Sequence, residues 1–174
     1  FGLNHSGLAL FSRRRLVGWL SEEQVAVFGR VKRGYPEGVV SMLTDLVPGR
    51  LLSLHVTSGS KKYWITSEGD NLTLHLQETV GGELVEAAGV TITSPTELGR
   101  LERALEKKEE ENIRDVLRTM QELRADAFGF GELLRRKDPG NPALADADTW
   151  REAYARAKVD VKVRVRARNR GFTK

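Results

Sequence analysis

The chain's most distinctive cluster of residue types is Asp126-Ala127-Phe128-Gly129-Phe130-Gly131, followed by Arg135-Arg136-Lys137. A carboxylate ahead of a helical stretch can take the helix's unpaired N–H groups, and basic residues at the far end suit the helix dipole. Two glycines alternating with two phenylalanines predict a bend between helices, with the rings inserting into the core. A bend of this kind also exposes a shaped surface. Asp126, Phe128, Gly129, Phe130, Gly131, Arg135 and Arg136 are therefore the candidates for contact with a partner. The competing reading keeps both rings in the core and uses the glycines only for close packing.

Other chemistries find little support. The absence of cysteine excludes a disulfide framework, a thiolate zinc site, an iron–sulfur cluster and a cysteine nucleophile. His55 and His75 lack a third ligand for a metal and are expected to face solvent from neighbouring strands, and His5 lies near a terminus. The pairs Glu22/Glu23 and Glu109/Glu110 stand in polar runs, without the apolar setting that raises a general acid's pKa. No GxxxxGK[ST], GxSxG or HExxH motif occurs, and Gly129-Phe130-Gly131 fails as a GxGxxG fingerprint because Leu134 holds the sixth position. No cofactor, metal or catalytic group is expected.

The 174 residues carry a net charge of +4. Residues 1–93 balance nine basic against nine acidic side chains, and residues 94–158 carry thirteen against fourteen. The excess falls in residues 159–174, where six basic residues face Asp160 alone. There Val159 to Arg168 alternates apolar and charged residues, which predicts a half-buried strand with a soluble outer face, an edge guarded by its charge. A row of Lys162, Arg164, Arg166 and Arg168 also suits phosphates, so a nucleic-acid-binding domain is one rival reading, although no aromatic platform is interleaved.

Around these residues the elements follow from local pattern. Gly7–Phe11 and Leu16–Leu20 predict a hairpin turning at Arg13-Arg14-Arg15. Ser21 and Gln24 form a capping box for a helix carrying Val25, Val27 and Phe28. Strands are expected at Gly38–Leu43, Arg50–Ser58, Lys61–Ser67 and Asn71–Thr79, joined by turns that include Ser58-Gly59-Ser60, in an antiparallel meander. Ser94-Pro95-Thr96-Glu97 starts a long helix with a second capping box. Its stripe runs Leu98, Leu101, Leu105, Glu109, Ile113, Val116, Met120, Leu123 and Ala127 at the 3.6 period of a straight helix, and the helix is expected from Pro95 to Ala125. Glu106 to Asn112 is read as a solvated turn overhanging the core. After the loop Asp138–Pro142, Asp148 or Thr149 starts a short helix with Trp150 and Tyr154 inward.

The ordered series of Asp126 to Gly131, Arg135-Arg136-Lys137 with Pro139, Trp150, and the Val-rich strand ending Arg168-Asn169-Arg170-Gly171 resembles the C-terminal domain of Ger(x)C-type spore germination proteins. Those are the lipoprotein C subunits of bacterial nutrient germinant receptors. Gly7-Leu8-Ala9-Leu10-Phe11 and Leu16-Val17-Gly18-Trp19-Leu20 resemble the start of the same domain. The resemblance implies an α+β fold, a mostly antiparallel sheet packed against one long helix plus shorter helices. It implies that residues 1–174 are a single C-terminal domain of a longer lipoprotein, lipid-anchored at the outer face of the spore inner membrane through a part absent here; Phe1 in place of Met fits a fragment. It further implies partnership with transporter-like and nutrient-sensing membrane-embedded subunits, in a scaffold role without catalysis. A small-molecule domain that itself binds the germinant is the other rival.

Overall fold

The computed structural model describes residues 7–33, 38–44, 50–69, 71–87 and 94–168. Strands β1 (Leu8–Ser12) and β2 (Arg15–Leu20) form a separate antiparallel hairpin. Helix α1 (Glu22–Arg33) follows, then strands β3 (Gly38–Thr44), β4 (Arg50–Glu68) and β5 (Asn71–Ala87). Helices α2 (Pro95–Glu122), α3 (Phe130–Lys137) and α4 (Ala147–Arg156) precede the last strand, β6 (Lys158–Arg168). The second sheet is ordered β3-β4-β5-β6. The fold is α+β with mostly antiparallel strands.

Both capping boxes form as their residues dictate. Ser21 N donates to Gln24 Oε1 at 3.1 Å and Gln24 N to Ser21 Oγ at 3.3 Å. Ser94 N donates to Glu97 Oε2 and Glu97 N to Ser94 Oγ, each at 3.2 Å. Helix α2 stops three residues before the expected Ala125, because Arg124 takes a left-handed φ of 52° and Ala125 N turns back to Met120 O at 2.8 Å. Helix α4 starts at Ala147, ahead of the expected Asp148 or Thr149. Asp146, rather than Asp148 or Thr149, is its cap, with Oδ1 accepting from Asp148 N at 2.7 Å and Thr149 N at 2.8 Å.

The turn expected at Ser58-Gly59-Ser60 does not exist; β4 runs through it as one strand of 19 residues. Strand β5 likewise continues past Thr79 through Gly81 and Gly82. A Cβ on Gly82 would stand 2.4 Å from His55 O, and one on Gly81 would stand 2.4 Å from Ser58 Oγ. The two glycines let β5 press against β4 there, so pairing overrides the turn propensity of a serine–glycine stretch.

The chain divides into two compact units. One comprises residues 1–32, 63–76 and 112–161; the other comprises 33–62, 77–111 and 162–174. In the first, Ile65, Leu74, Ile113, Met120, Phe130 and Tyr154 are core residues. There α2 holds α1 through Gln24 Nε2, which donates to Asp115 Oδ2 and Thr119 Oγ1 at 2.8 Å each. Gln121 Nε2 donates to the carbonyls of Tyr154 and Ala157 at 2.9 and 2.8 Å, satisfying the end of α4.

In the second unit, α2 runs beside the edge strand β6. Glu110, Glu106 and Glu102 accept the backbone N–H groups of Val163, Val165 and Ala167 at 3.2, 3.1 and 2.8 Å. Four helical residues rise about 6.0 Å and two strand residues about 6.6 Å, so the two repeats keep step. The expectation of a solvated overhang is thus overturned. Glu109 is only 5% exposed, and its neighbours on α2 occupy the strand's free donors. The guard on this edge is the helix's carboxylates, not the strand's own charges. Val163, Val165 and Ala167 are buried while Lys162, Arg164, Arg166 and Arg168 are exposed, as the alternation requires.

Candidate functional site

Asp126 lies in the short connection between α2 and α3. Its Oδ1 accepts from Gly129 N and Phe130 N at 2.9 Å each, and its Oδ2 accepts from Gly131 N at 2.7 Å. One carboxylate therefore satisfies the opening donors of α3. Gly129 sits at φ 83°, the left-handed region, with open space where a Cβ would be, so conformation alone demands glycine there. Gly131 is glycine for a different reason: a Cβ would stand 2.7 Å from Trp150 Cε2.

The two phenylalanines turn inward. Phe128 is 2% and Phe130 0% exposed. Phe128 packs edge-on against Phe28 at 5.1 Å between centroids, and Phe130 against Tyr63 at 5.9 Å. Lys32 Nζ donates to Phe128 O at 2.9 Å and lies 5.9 Å from the Tyr63 ring centre. Of the seven candidates, then, Asp126, Phe128, Gly129, Phe130 and Gly131 build the bend, and Arg135 and Arg136 are what it exposes. Glu132 faces both, with Arg136 Nε at 3.1 Å and Arg135 Nε at 3.9 Å. Beneath the bend, Tyr154 is fully buried and its hydroxyl makes no hydrogen bond. Burial first, and the nearby Asp126 charge second, hold its pKa far above the usual phenol value.

An open groove of ≈ 350 Å³ runs past this bend. Arg13, Arg124, Arg135 and Arg151 line it, with Phe11 and Trp150 as its aromatic walls. Sequence reading supplied Arg135 but not the others, which arrive from the hairpin, the end of α2, and α4. Arg13 meets Asp148 at 3.2 Å, Arg124 meets Glu152 at 3.2 Å, and Arg151 also meets Asp148. The Arg13–Asp148 and Arg124–Glu152 pairs are exposed on both sides and exchangeable: each is worth about 0–1 kcal/mol in water, so an incoming carboxylate can replace a partner at little cost. Chemically the groove suits an acidic segment carrying an apolar side chain.

A second open groove, of ≈ 690 Å³, includes Asn141, Glu152, Arg156 and Lys158. Asn141 is committed to the fold. Its Nδ2 donates to Ser67 Oγ at 3.0 Å and Asp138 Oδ2 at 2.9 Å, and its Oδ1 accepts from Ala143 N at 3.1 Å.

His75 does not face solvent as expected. Its ring stacks on Trp64 at 4.8 Å, with Nδ1 3.0 Å from Asp160 Oδ2 and Nε2 2.8 Å from Thr66 Oγ1. The carboxylate, imidazole and hydroxyl come from adjacent strands and tie β4, β5 and β6 together. His55 is half-buried, and His5 lies outside the described residues. Among the described residues, no three His, Asp or Glu side chains gather as a metal-ligand set, and no helix is long and apolar enough to cross a membrane.

A family profile described as spore germination B3/GerAC like, C-terminal, matches residues 6–171. No curated protein sequence matches the chain. Among solved structures, the crystal structure of the GerBC protein is similar, with a TM-score of 0.78 at 21% identity. The alignment covers 93% of this chain and 51% of that one, so this chain spans about half the length of its structural relative.

Proposed function

This chain belongs to the spore germination B3/GerAC-like family, matching its C-terminal domain, and on that premise we propose that it is a non-enzymatic interaction module of a nutrient germinant receptor. In this reading it is the C-terminal domain of a longer lipoprotein, lipid-anchored at the outer face of the spore inner membrane. It acts as a rigid scaffold that docks membrane-embedded receptor subunits and couples nutrient sensing to release of ions or solutes.

The observation that carries the reading is the division of labour at the bend. Asp126, the two glycines and the two buried rings fix its backbone, and the groups left at the surface are the Arg135 and Arg136 guanidiniums, with the Glu132 carboxylate between them, beside an open groove. A surface built on a rigid turn holds its charges in place without a further ordering cost when a partner arrives. Arg135 presents to the groove, and Arg136 flanks it on the same helix.

The test is charge reversal at both positions, Arg135→Glu with Arg136→Glu, in the protein expressed in spores. Both side chains are exposed, so the fold is expected to survive, as read by circular dichroism and thermal unfolding. Nutrient-triggered germination should slow, and recovery of the polytopic subunits with the tagged protein from solubilised inner membrane should fall. A folded double variant that germinates at full rate overturns the docking assignment.

A further inference from the structure

Strand β2 carries an irregularity that changes what the hairpin shows to solvent. The register pairs Leu8 with Leu20, Ala9 with Trp19 and Leu10 with Gly18, then jumps so that Phe11 pairs with Leu16. Val17 is the extra residue. In a regular pairing, with Val17 opposite Phe11, Leu16 would share the face of Gly18 and Leu20, which is the buried one. The bulge re-aims Leu16 outward, onto the face of Phe11 and Trp19. Phe11 is 64%, Leu16 49% and Trp19 62% exposed, large hydrophobic side chains left open to water.

The turn of the same hairpin is equally unusual. Arg13 and Arg14 occupy left-handed φ values of 46° and 65°, a two-residue turn for which Asn-Gly is the unstrained choice. Arg15 follows, and residues 7–20 contain these three arginines and no carboxylate. Asp148 meets Arg13, while Arg14 and Arg15 project as exposed charges. One hairpin thus combines an outward apolar face with a cluster of single-sign charge.

We infer that this hairpin is an interfacial anchor for an anionic lipid bilayer. Phe11, Leu16 and Trp19 enter the boundary between headgroups and acyl chains, and Arg14 and Arg15 meet the lipid phosphates. An apolar face of this kind is built to leave water. Its charges complement an anionic surface, and guanidinium groups match phosphate oxygens in a fork geometry. Tryptophan favours the membrane–water boundary. A protein interface carries about one hydrogen bond per 100–200 Å², yet the only side-chain hydrogen-bonding group among Ala9, Phe11, Leu16 and Trp19 is the indole N–H. A lipid surface asks for no more than that.

The experiment is co-sedimentation of the full chain with phosphatidylcholine vesicles, with and without phosphatidylglycerol, together with quenching of tryptophan fluorescence by brominated acyl chains. Trp64 stacks on His75 and Trp150 packs on Gly131, so quenching is expected to arise from Trp19. The chain should bind the anionic vesicles, and added salt should weaken binding. Trp19→Ser should remove the quenching, and Arg14→Gln with Arg15→Gln should lower partitioning roughly tenfold or more. No partitioning at low salt overturns the inference, as does equal binding to neutral vesicles. A self-associated chain that ignores vesicles and becomes monomeric on Trp19→Ser would assign the face to a second copy instead. A photocrosslinker at position 19 that captures a polypeptide rather than lipid in isolated membranes would assign it to a protein. The vesicles hold no receptor subunit, so the outcome stands apart from the docking assignment.

Discussion

Asp126 shows how one side chain determines a local structure. Three charge-assisted hydrogen bonds from consecutive amides make Asp126→Ala costly, about 2–3 kcal/mol in denaturant unfolding. Asp126→Asn should recover part of that loss, because its amide oxygen still accepts. The neighbouring glycines separate two physical causes. Gly131→Ala drives a methyl into the Trp150 indole and should cost about 1–3 kcal/mol. Trimming Trp150 to leucine should relieve part of that cost in a double-mutant cycle. Gly129→Ala has room for its methyl and should cost about 1–2 kcal/mol through φ alone, with no coupling to Trp150. Equal coupling in both cycles would mean that the indole does not set the requirement at Gly131.

At the scale of elements, the start of α4 carries a pH dependence with a definite sign. The Thr149 backbone N–H first, then its hydroxyl, lower the Asp146 pKa below its ordinary 3.8. A depressed carboxylate contributes stability that is present above its unfolded pKa and lost as pH falls through the folded one. Amide exchange at Asp148 and Thr149 should therefore accelerate in acid below the ordinary aspartate range. Asp146→Asn should flatten that response; an unchanged acid profile in this variant would remove Asp146 as its source.

Elements were legible in the sequence where a local rule decides them. Ser21 with Gln24, Ser94 with Glu97, and the alternation of Val161 to Ala167 each specify their own geometry. Ser58-Gly59-Ser60 misleads because strand pairing outweighs turn propensity along β4. Arg124 gives no warning that it will end α2, since the usual glycine is missing. The outward turn of Leu16 depends on a bulge that alternation conceals. The glutamates of α2 did carry a signal, carboxylates spaced four apart on one helix face, but its meaning appears only when a strand lies alongside. At the site, the capping role of Asp126 and the alternative of buried rings were readable from residue types. The groove was not, because its arginines are distant in sequence.

On the scale of the whole molecule, each compact unit is assembled from separated stretches of chain. The first needs residues 1–32, 63–76 and 112–161; the second needs 33–62, 77–111 and 162–174. A fragment ending at residue 93 holds an incomplete set for both. It is expected to give the poorly dispersed amide spectrum of an unfolded chain, and a cooperatively folded fragment would show that the N-terminal stretches suffice. The family profile, over residues 6–171, takes in stretches of both units.

The carboxylates along β6 also bear on what happens when many copies are crowded together. An open strand edge is a template: its unpaired donors recruit the next chain, and growth by that route leads to fibres. Here three of those donors are already occupied, by carboxylates of the helix that lies along the edge. Replacing Glu102, Glu106 and Glu110 with alanine should leave much of the core packing intact while shortening the lag before thioflavin-positive aggregates form. The helix that flanks the sheet would then be what keeps concentrated chains from templating one another.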